Sequence, residues 1–493
     1  MPEHLPHKCA VVAVSSLREG TDDAASRTGE MMHALRHRGG AGWGIATHTR
    51  KQALEVVAGT FEADLGNPGT FEHWEATDAI GHNRYITSGG NHPDMSQPFR
   101  FTAGGMKYAF AFNGNIANFD DLQAQHGPLR VEVDTEVIRL LLIEAIEEHT
   151  RENMAAVFQS LEAALDGAFN IVMMDEEGNV YAYRDSRGFH PIVYMRRNDH
   201  FAVASEDHGI KETFPGTADE EIHPLLPGQL IREQGGQVTI EQVVESRQHA
   251  HCFFEWVYFA QYLSKLDGVS VERIRERLGE LLAENDPEIP GDPESVRIEP
   301  VPHSAVCAGR GYARQKDLPV SEDIERRIEA RSFTKSSERF EIAKRKLHVR
   351  DDADLAGKTV VLVEDSLVRG TTMRALIENV RAKNPAAIHL RLSCPPVVAL
   401  CFYGIDISNL SELIVRKYLD TQGNLTVEGH RLLAGELGVE SIRFLQPEKM
   451  LQAFKEFGMQ RENLCTACIT GKYPTPKGQE LYDSAVQEEK KKP

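Results

Sequence analysis

Short apolar runs separated by turn residues dominate the first half of the chain. CAVVAV (9–14), GHNRYIT (81–87), YAFAF (108–112), FNIVMM (169–174), VYAYRD (180–185) and FAVAS (201–205) predict strands. The D-E-E-G-N stretch at 175–179 predicts a hairpin turn between two of them. Apolar positions at helical spacing appear in GEMMHALRH (29–37), DTEVIRLLLIEAIEEH (134–149) and MAAVFQSLEAALDG (154–167). Residues up to about 250 therefore predict an α+β unit in which strands outnumber helices.

From about residue 270 the rhythm changes to strand, helix, strand. VRIEPVP leads into AVCAGRGYARQ, KTVVLVEDS into TTMRALIENVRAKN, and AIHLRLSCPP follows. That alternation predicts a parallel sheet with helices on its faces and ligands at the carboxyl ends of its strands. DPEIPGDPES (286–295) reads as a loop.

Composition narrows the field. A chain of 493 residues is long enough for two or three domains. Apolar residues at 41% and charged residues at 26% are ordinary for a globular protein, and no run approaches the roughly 18 apolar residues of a membrane span. The expectation is a cytoplasmic protein with no signal peptide and no membrane contact. A net charge of −19 argues against nucleic-acid binding, which needs a basic face. Seven cysteines, at 9, 252, 307, 394, 401, 465 and 468, are an odd number in a chain expected to lack disulfides. Metal or catalytic use of them deserves a test against the rest of the sequence.

VVLVEDSLVRGTT (360–372) carries the clearest chemistry. A buried strand ends in two acids and turns through Ser366 to Gly370 into a helix beginning near Thr371. Free N–H groups and the dipole of such a helix start favour a phosphate. The acids suit sugar hydroxyls or, through water, Mg2+. Between Arg326 and Arg350 nine basic residues face three glutamates, either a solvated helix face or a segment that meets an anion. Cys465 and Cys468 form a C-x-x-C pair, which alone fits unrelated thiols, a redox pair or half a metal site. Cys9 alone reads equally as a small packing residue opening a strand.

The segment 360–372 resembles the phosphoribosyl pyrophosphate signature of type I phosphoribosyltransferases. That resemblance implies Glu364 and Asp365 at the ribose, and Ser366, Arg369, Gly370, Thr371 and Thr372 around the 5′-phosphate. It also makes the basic segment a loop that closes over pyrophosphate, with Lys346 in RKLHVR as its lysine, and puts Ser304 in the pyrophosphate loop. In the first half, CAVVAV, HRGGAGWGIA, GHNRYITSGG, FNGNIANFDDL and DTEV, in that order, resemble the glutaminase domain of class II amidotransferases. These are N-terminal-nucleophile hydrolases. The implied roles are Cys9 as nucleophile with its own freed α-amino group as base, Asn113 and Gly114 as the oxyanion site, Arg84 for the glutamine carboxylate and Asp134 for its ammonium.

Together the halves resemble the glutamine phosphoribosylpyrophosphate amidotransferases, in a divergent form of the iron–sulfur type. HCFFEWVYFA around Cys252 and CFYGID around Cys401 resemble the segments carrying the other ligands of a 4Fe-4S cluster, completed by Cys465 and Cys468. Four thiolates also satisfy zinc. The resemblance implies an αββα N-terminal-nucleophile sandwich at 9–258, an α/β type I phosphoribosyltransferase domain at 259–445, a segment at 446–493 bearing two cluster cysteines, and a propeptide at 1–8. It further implies Mg2+, glutamine and phosphoribosyl pyrophosphate as substrates, purine nucleotide inhibitors and a homo-oligomer, tetramer or dimer.

The sequence departs from the family at PHSAVCAG (302–309), where a small Pro-Asp-Ser-Gly-like loop is usual. Other departures are QYLSKLDG after YFA, Ala10 in place of glycine, and Glu364 in place of aspartate. These leave two alternatives: an amidotransferase with another acceptor, or a non-catalytic cluster-bearing nucleotide sensor.

Overall fold

The computed structural model describes residues 9–40, 42–49, 54–59, 68–71, 73–84, 95–127, 129, 133–246, 248–286, 289, 292–327, 344 and 346–491. The expected propeptide 1–8, Tyr85–Gly90 of the GHNRYITSGG motif and most of the basic segment, 328–343 and 345, lie outside them.

The first unit contains strands β1 (Ala10–Ser16), β2 (Gly42–His48), β3 (Glu55–Gly59), β4 (Asp78–Arg84), β5 (Phe99–Ala103), β6 (Met106–Ile116), β7 (Gly167–Asp175), β8 (Val180–Arg184), β9 (Val193–Arg197), β10 (His200–Ala204), β11 (Ile222–Pro224), β12 (Gln229–Gln234) and β13 (Gln237–Gln242). Its helices are α1 (Ala24–Ala34), α2 (Phe119–His126), α3 (Asp134–His149), α4 (Met154–Ala164) and α5 (Asp207–Thr213). One antiparallel sheet runs β11-β9-β10-β1-β4-β2-β3 and the other β13-β12-β8-β7-β6-β5. The alternation of each strand decides its layers. Val11, Ala13 and Ile80 of the first sheet meet Ala109, Ala111 and Val172 of the second in a shared core. The opposite residues of β1, Val12 and Val14, pack under α1 with Met31 and Met32, and α3 and α4 cover the second sheet through Val137, Leu142 and Phe158. Helix, sheet, sheet, helix is the layer order that the family resemblance implies.

The second unit has a parallel sheet of Val296–Pro300, Thr359–Glu364, Ala387–Leu392 and Ser441–Phe444, in that order. Helices Val306–Lys316, Thr371–Arg381 and Val427–Leu437 connect or flank its strands. The amphipathic helix Val271–Glu284, capped by the Ser270 hydroxyl accepting from Arg273 N–H, packs on Val306–Lys316. An antiparallel ribbon, Ile324–Arg326 with Leu347–Val349, forms the described base of the basic segment. The C-terminal stretch returns to the junction, where Leu464–Cys465 pairs in parallel with His251–Cys252 and sets Cys465 opposite Cys252. No helix among the described residues is long and apolar enough to cross a membrane.

Candidate active sites

Cys9 stands at the start of the central strand of its sheet. Val11 N–H donates to Ser205 Oγ at 3.0 Å, and the Cys9 carbonyl accepts from Arg38 Nε at 3.4 Å, so the backbone after the thiol is pinned on two sides. Arg84 ends the neighbouring strand β4, one residue beyond Asn83, which pairs with Ala10. Its guanidinium is buried, and that burial lowers its pKa against the attraction of Cys9 and Asp134. Asp134 begins α3 and accepts from Thr135 N–H at 2.9 Å. Burial raises its carboxyl to about 6, against those backbone donors and the Arg84 charge. Thiol, cation and carboxylate thus come within electrostatic reach of one another from three separate elements.

Asn113 and Gly114 lie inside the eleven-residue strand β6, where an Asn-Gly pair read alone suggests a turn. Asn113 faces Asn170 and Gly114 faces Phe169 across the ladder. A Cβ on Gly114 would meet the Ala168 carbonyl oxygen at 1.7 Å, so only glycine lets β7 approach this closely. The Asn113 side chain is buried, and its Nδ2 has no hydrogen-bond partner among the described residues. A buried donor without a partner costs on the order of 1–3 kcal/mol, an arrangement that makes sense where a ligand oxygen completes it.

Around this pocket lies a buried ionic network whose roles no local motif announces. Arg38 gives one nitrogen to Glu206 Oε1 at 2.5 Å and another to both oxygens of Glu255 at 3.0 Å. Glu206 also accepts from Gln261 N–H and the Ser264 hydroxyl. Paired acids push Arg38 above its usual pKa despite its burial, and the cations hold Glu206 down at about 2 despite its own. Arg38 sits within HRGG and Glu255 within HCFFEWVYFA, but their partnership spans 217 residues and has no sequence periodicity.

In the second unit the sequence-predicted residues gather at the carboxyl ends of two adjacent strands. Asp365 is clasped by the Ser304 hydroxyl at 2.5 Å and the Ser366 hydroxyl at 2.5 Å, joining the 302–305 loop to the 366–370 loop. Asp365 N–H donates to Glu364 Oε1 at 2.9 Å. Desolvation and the adjoining Asp365 charge push Glu364 well above the ordinary carboxyl range. Gly370 caps the helix Thr371–Arg381 at φ 81°, and a Cβ there would meet Ile414 Cδ1 at 2.7 Å. Thr371 and Thr372 supply the first helical turn, whose N–H groups lack intrahelical partners. Arg369 is engaged by Glu412 at 2.7 Å and Asp406 at 3.6 Å. Lys346 sits at the base of the ribbon, its carbonyl accepting from Arg327 N–H. Burial and the nearby Arg326 charge lower the pKa of His303 in the unusual loop. Tyr258, which no local motif announces, is half-buried, with its phenol pushed up by desolvation and by Asp365.

The four distant cysteines converge. Burial, with the charges of Cys401, Cys252 and Cys465, raises the Cys468 thiol well above its usual pKa. Cys401 Sγ accepts from Tyr403 N–H and Ile405 N–H, both at 3.4 Å. Among the described residues no three His, Cys, Asp or Glu side chains are grouped so that they could hold a single metal ion. Cys307 and Cys394 are buried.

The fold and these two pockets define a glutamine amidotransferase joined to a phosphoribosyltransferase. A glutamine amidotransferase domain family matches residues 82–212. The chain is 32% identical to an amidophosphoribosyltransferase of Methanothermobacter thermautotrophicus, covering 95% of each chain. It is 33% identical to one of Methanocaldococcus jannaschii, over 90% of this chain and 93% of that one. Solved structures agree: one described as the allosteric regulatory enzyme of purine biosynthesis superposes with a TM-score of 0.81 at 27% identity, over 97% of this chain and 99% of that one. The Bacillus subtilis glutamine phosphoribosylpyrophosphate amidotransferase, complexed with ADP and GMP, gives 0.78 at 26% identity, over 97% and 100%. This chain belongs to the amidophosphoribosyltransferase family, whose reaction moves the amide nitrogen of glutamine to phosphoribosyl pyrophosphate at the first committed step of purine synthesis.

Proposed function

We propose the following division of labour. After cleavage between Lys8 and Cys9, the Cys9 thiol attacks the side-chain amide carbon of glutamine and passes its proton to the freed α-amino group. An α-amino pKa of about 7.7–8.0 suits both acceptance and return of that proton. Asn113 Nδ2 and Gly114 N–H stabilise the oxyanion, while Arg84 and Asp134 hold the substrate carboxylate and ammonium. Collapse expels ammonia, which carries the returned proton, and water hydrolyses the thioester to glutamate. Ammonia then passes internally to C1 of phosphoribosyl pyrophosphate and displaces pyrophosphate.

At that second site Glu364 and Asp365 bind the ribose hydroxyls, and Ser366, Arg369, Gly370, Thr371 and Thr372 surround the 5′-phosphate. Ser304 and Lys346 serve the pyrophosphate, with Mg2+ bound chiefly by that substrate supplying charge neutralisation. The observation that carries the glutaminase half is the buried Asn113 Nδ2, which has no hydrogen-bond partner among the described residues.

Cys252, Cys401, Cys465 and Cys468 would hold a 4Fe-4S cluster, which supplies a structural cross-link between the domains. The charges of Cys252, Cys401 and Cys465 reach the Cys468 thiol, and the two N–H donors to Cys401 Sγ suit a charged thiolate. Domain limits at 9–258, 259–445 and 446–493, purine nucleotide inhibition, a homotetramer or dimer, and a cytoplasmic location complete the proposal. Intact mass and N-terminal sequencing of the active protein test its first step. Cysteine at the new terminus is the expected result, and full activity with residues 1–8 retained would overturn the proposed base.

A further inference from the structure

The oxyanion strand of the glutaminase unit does not stand alone. Asn115, one residue past Gly114 on β6, donates from Nδ2 to the Phe402 carbonyl at 2.9 Å, a partner 287 residues away. The next carbonyl, of Tyr403, accepts from His190 Nε2 at 2.7 Å. A Cβ on Gly404 would lie 3.2 Å from His190 Nε2 and 3.7 Å from the Gly114 carbonyl carbon, so this backbone passes directly over the oxyanion residue.

The segment 402–404 is itself fixed from the far side. The Tyr403 ring stacks on Phe189 with centroids 4.3 Å apart, and its hydroxyl pairs with Thr475 Oγ1 at 2.9 Å. His190 is fully buried, and its Nδ1 faces Glu255 Oε1 at 3.2 Å. Glu255 in turn binds Arg38, which reaches the Cys9 carbonyl. Both ends of the glutaminase machinery, the nucleophile strand and the oxyanion strand, therefore lead to one short stretch of the other unit. The Phe402 carbonyl, held by Asn115, restrains β6 against sliding along its ladder, and the Tyr403 carbonyl holds His190 and, through Glu255 and Arg38, the network behind Cys9. Oxyanion donors act only within a narrow distance of the developing charge.

We infer that Phe402–Gly404 is a brace for the glutaminase oxyanion site, with Asn115 and His190 as the positioning residues that fasten β6 and the Cys9 network to it. The inference rests on the proposed oxyanion role of Asn113 and Gly114. It makes the phosphoribosyltransferase unit a structural requirement for glutamine hydrolysis, apart from any ligand it holds.

The test uses the full-length enzyme and assays two rates: glutamine hydrolysis with phosphoribosyl pyrophosphate present, and phosphoribosylamine formation from ammonium chloride. Asn115→Ala and His190→Ala should each lower the glutaminase kcat about tenfold, a fraction of the 10²–10³ lost with an oxyanion donor itself. The KM for glutamine should stay within twofold and the ammonia-dependent rate should be unchanged. His190→Gln, whose amide can still donate to the Tyr403 carbonyl, should retain most of the kcat. Equal loss of both activities, a raised KM at unchanged kcat, or no rescue by His190→Gln would overturn the brace. An impaired Asn113→Ala beside a fully active Asn115→Ala would overturn it alone. A fully active Asn113→Ala would remove the oxyanion assignment, and the brace with it.

Discussion

At the residue scale, Asp134 shows how one environment sets a pH response. Burial raises its carboxyl to about 6, while the proposed task, holding an ammonium, needs the ionised form. The acid limb of kcat/KM reports the free enzyme. Below the α-amino pKa one required proton loss gives a slope of one, and below about 6 protonation of Asp134 adds a second. The expected profile steepens to a slope of two there, and Asp134→Asn, with a much raised KM, should return it to one. A single slope down to pH 5 in the wild type would contradict the role. The neighbouring Asn113 gives a companion prediction. Asn113→Ala should cost about 10²–10³ in glutaminase kcat with unchanged or slightly raised thermal stability, because it removes a buried donor that has no partner among the described residues.

At the scale of elements, the loop from Glu364 to Thr371 was legible because its chemistry is local. A buried run, two acids, a glycine and a helix start follow one another within a dozen residues, and the structure keeps them in that order. Gly370→Ala should raise the KM for phosphoribosyl pyrophosphate at least fivefold and lower stability by about 1–2 kcal/mol, since alanine resists φ 81° and its Cβ crowds Ile414. Steady-state kinetics and a denaturant titration would check both. What the sequence concealed is nonlocal. Edge strands such as β11 and β13 are short and half polar, so their period-2 signal is weak, and they exist because β9 and β12 offer them an edge. Asn113 and Gly114 looked like a turn because propensity ignores the close approach of β7. Arg38, Glu206, Glu255 and His190 look like ordinary surface letters until the fold buries them together.

The molecule as a whole is joined by contacts between residues widely separated in sequence, and the cysteines are among them. Cys252 closes the first unit, Cys401 lies in the second and Cys465 comes from the returning tail, so a cluster held by all of them would close a loop of 213 residues between Cys252 and Cys465. A covalent closure of that length removes chain entropy worth up to about 5 kcal/mol in the ideal-chain treatment. The two-residue ladder Leu464–Cys465 with His251–Cys252 is too short to hold the tail by itself. Cys465→Ser, or oxidative removal of the cluster, should therefore lower the thermal midpoint by several degrees and open the 446–475 stretch to limited proteolysis. The ammonia-dependent rate should outlast the glutaminase rate as this happens, because Tyr403 loses Thr475 as an anchor while the ribose and phosphate loops keep their own contacts. Visible absorption, iron and sulfide content, and cleavage sites read by mass spectrometry follow the three events separately. A colourless, zinc-bearing protein with the same proteolytic resistance would replace the cluster by an ion, and a tail that stays resistant with all four thiols free would show that packing alone retains it.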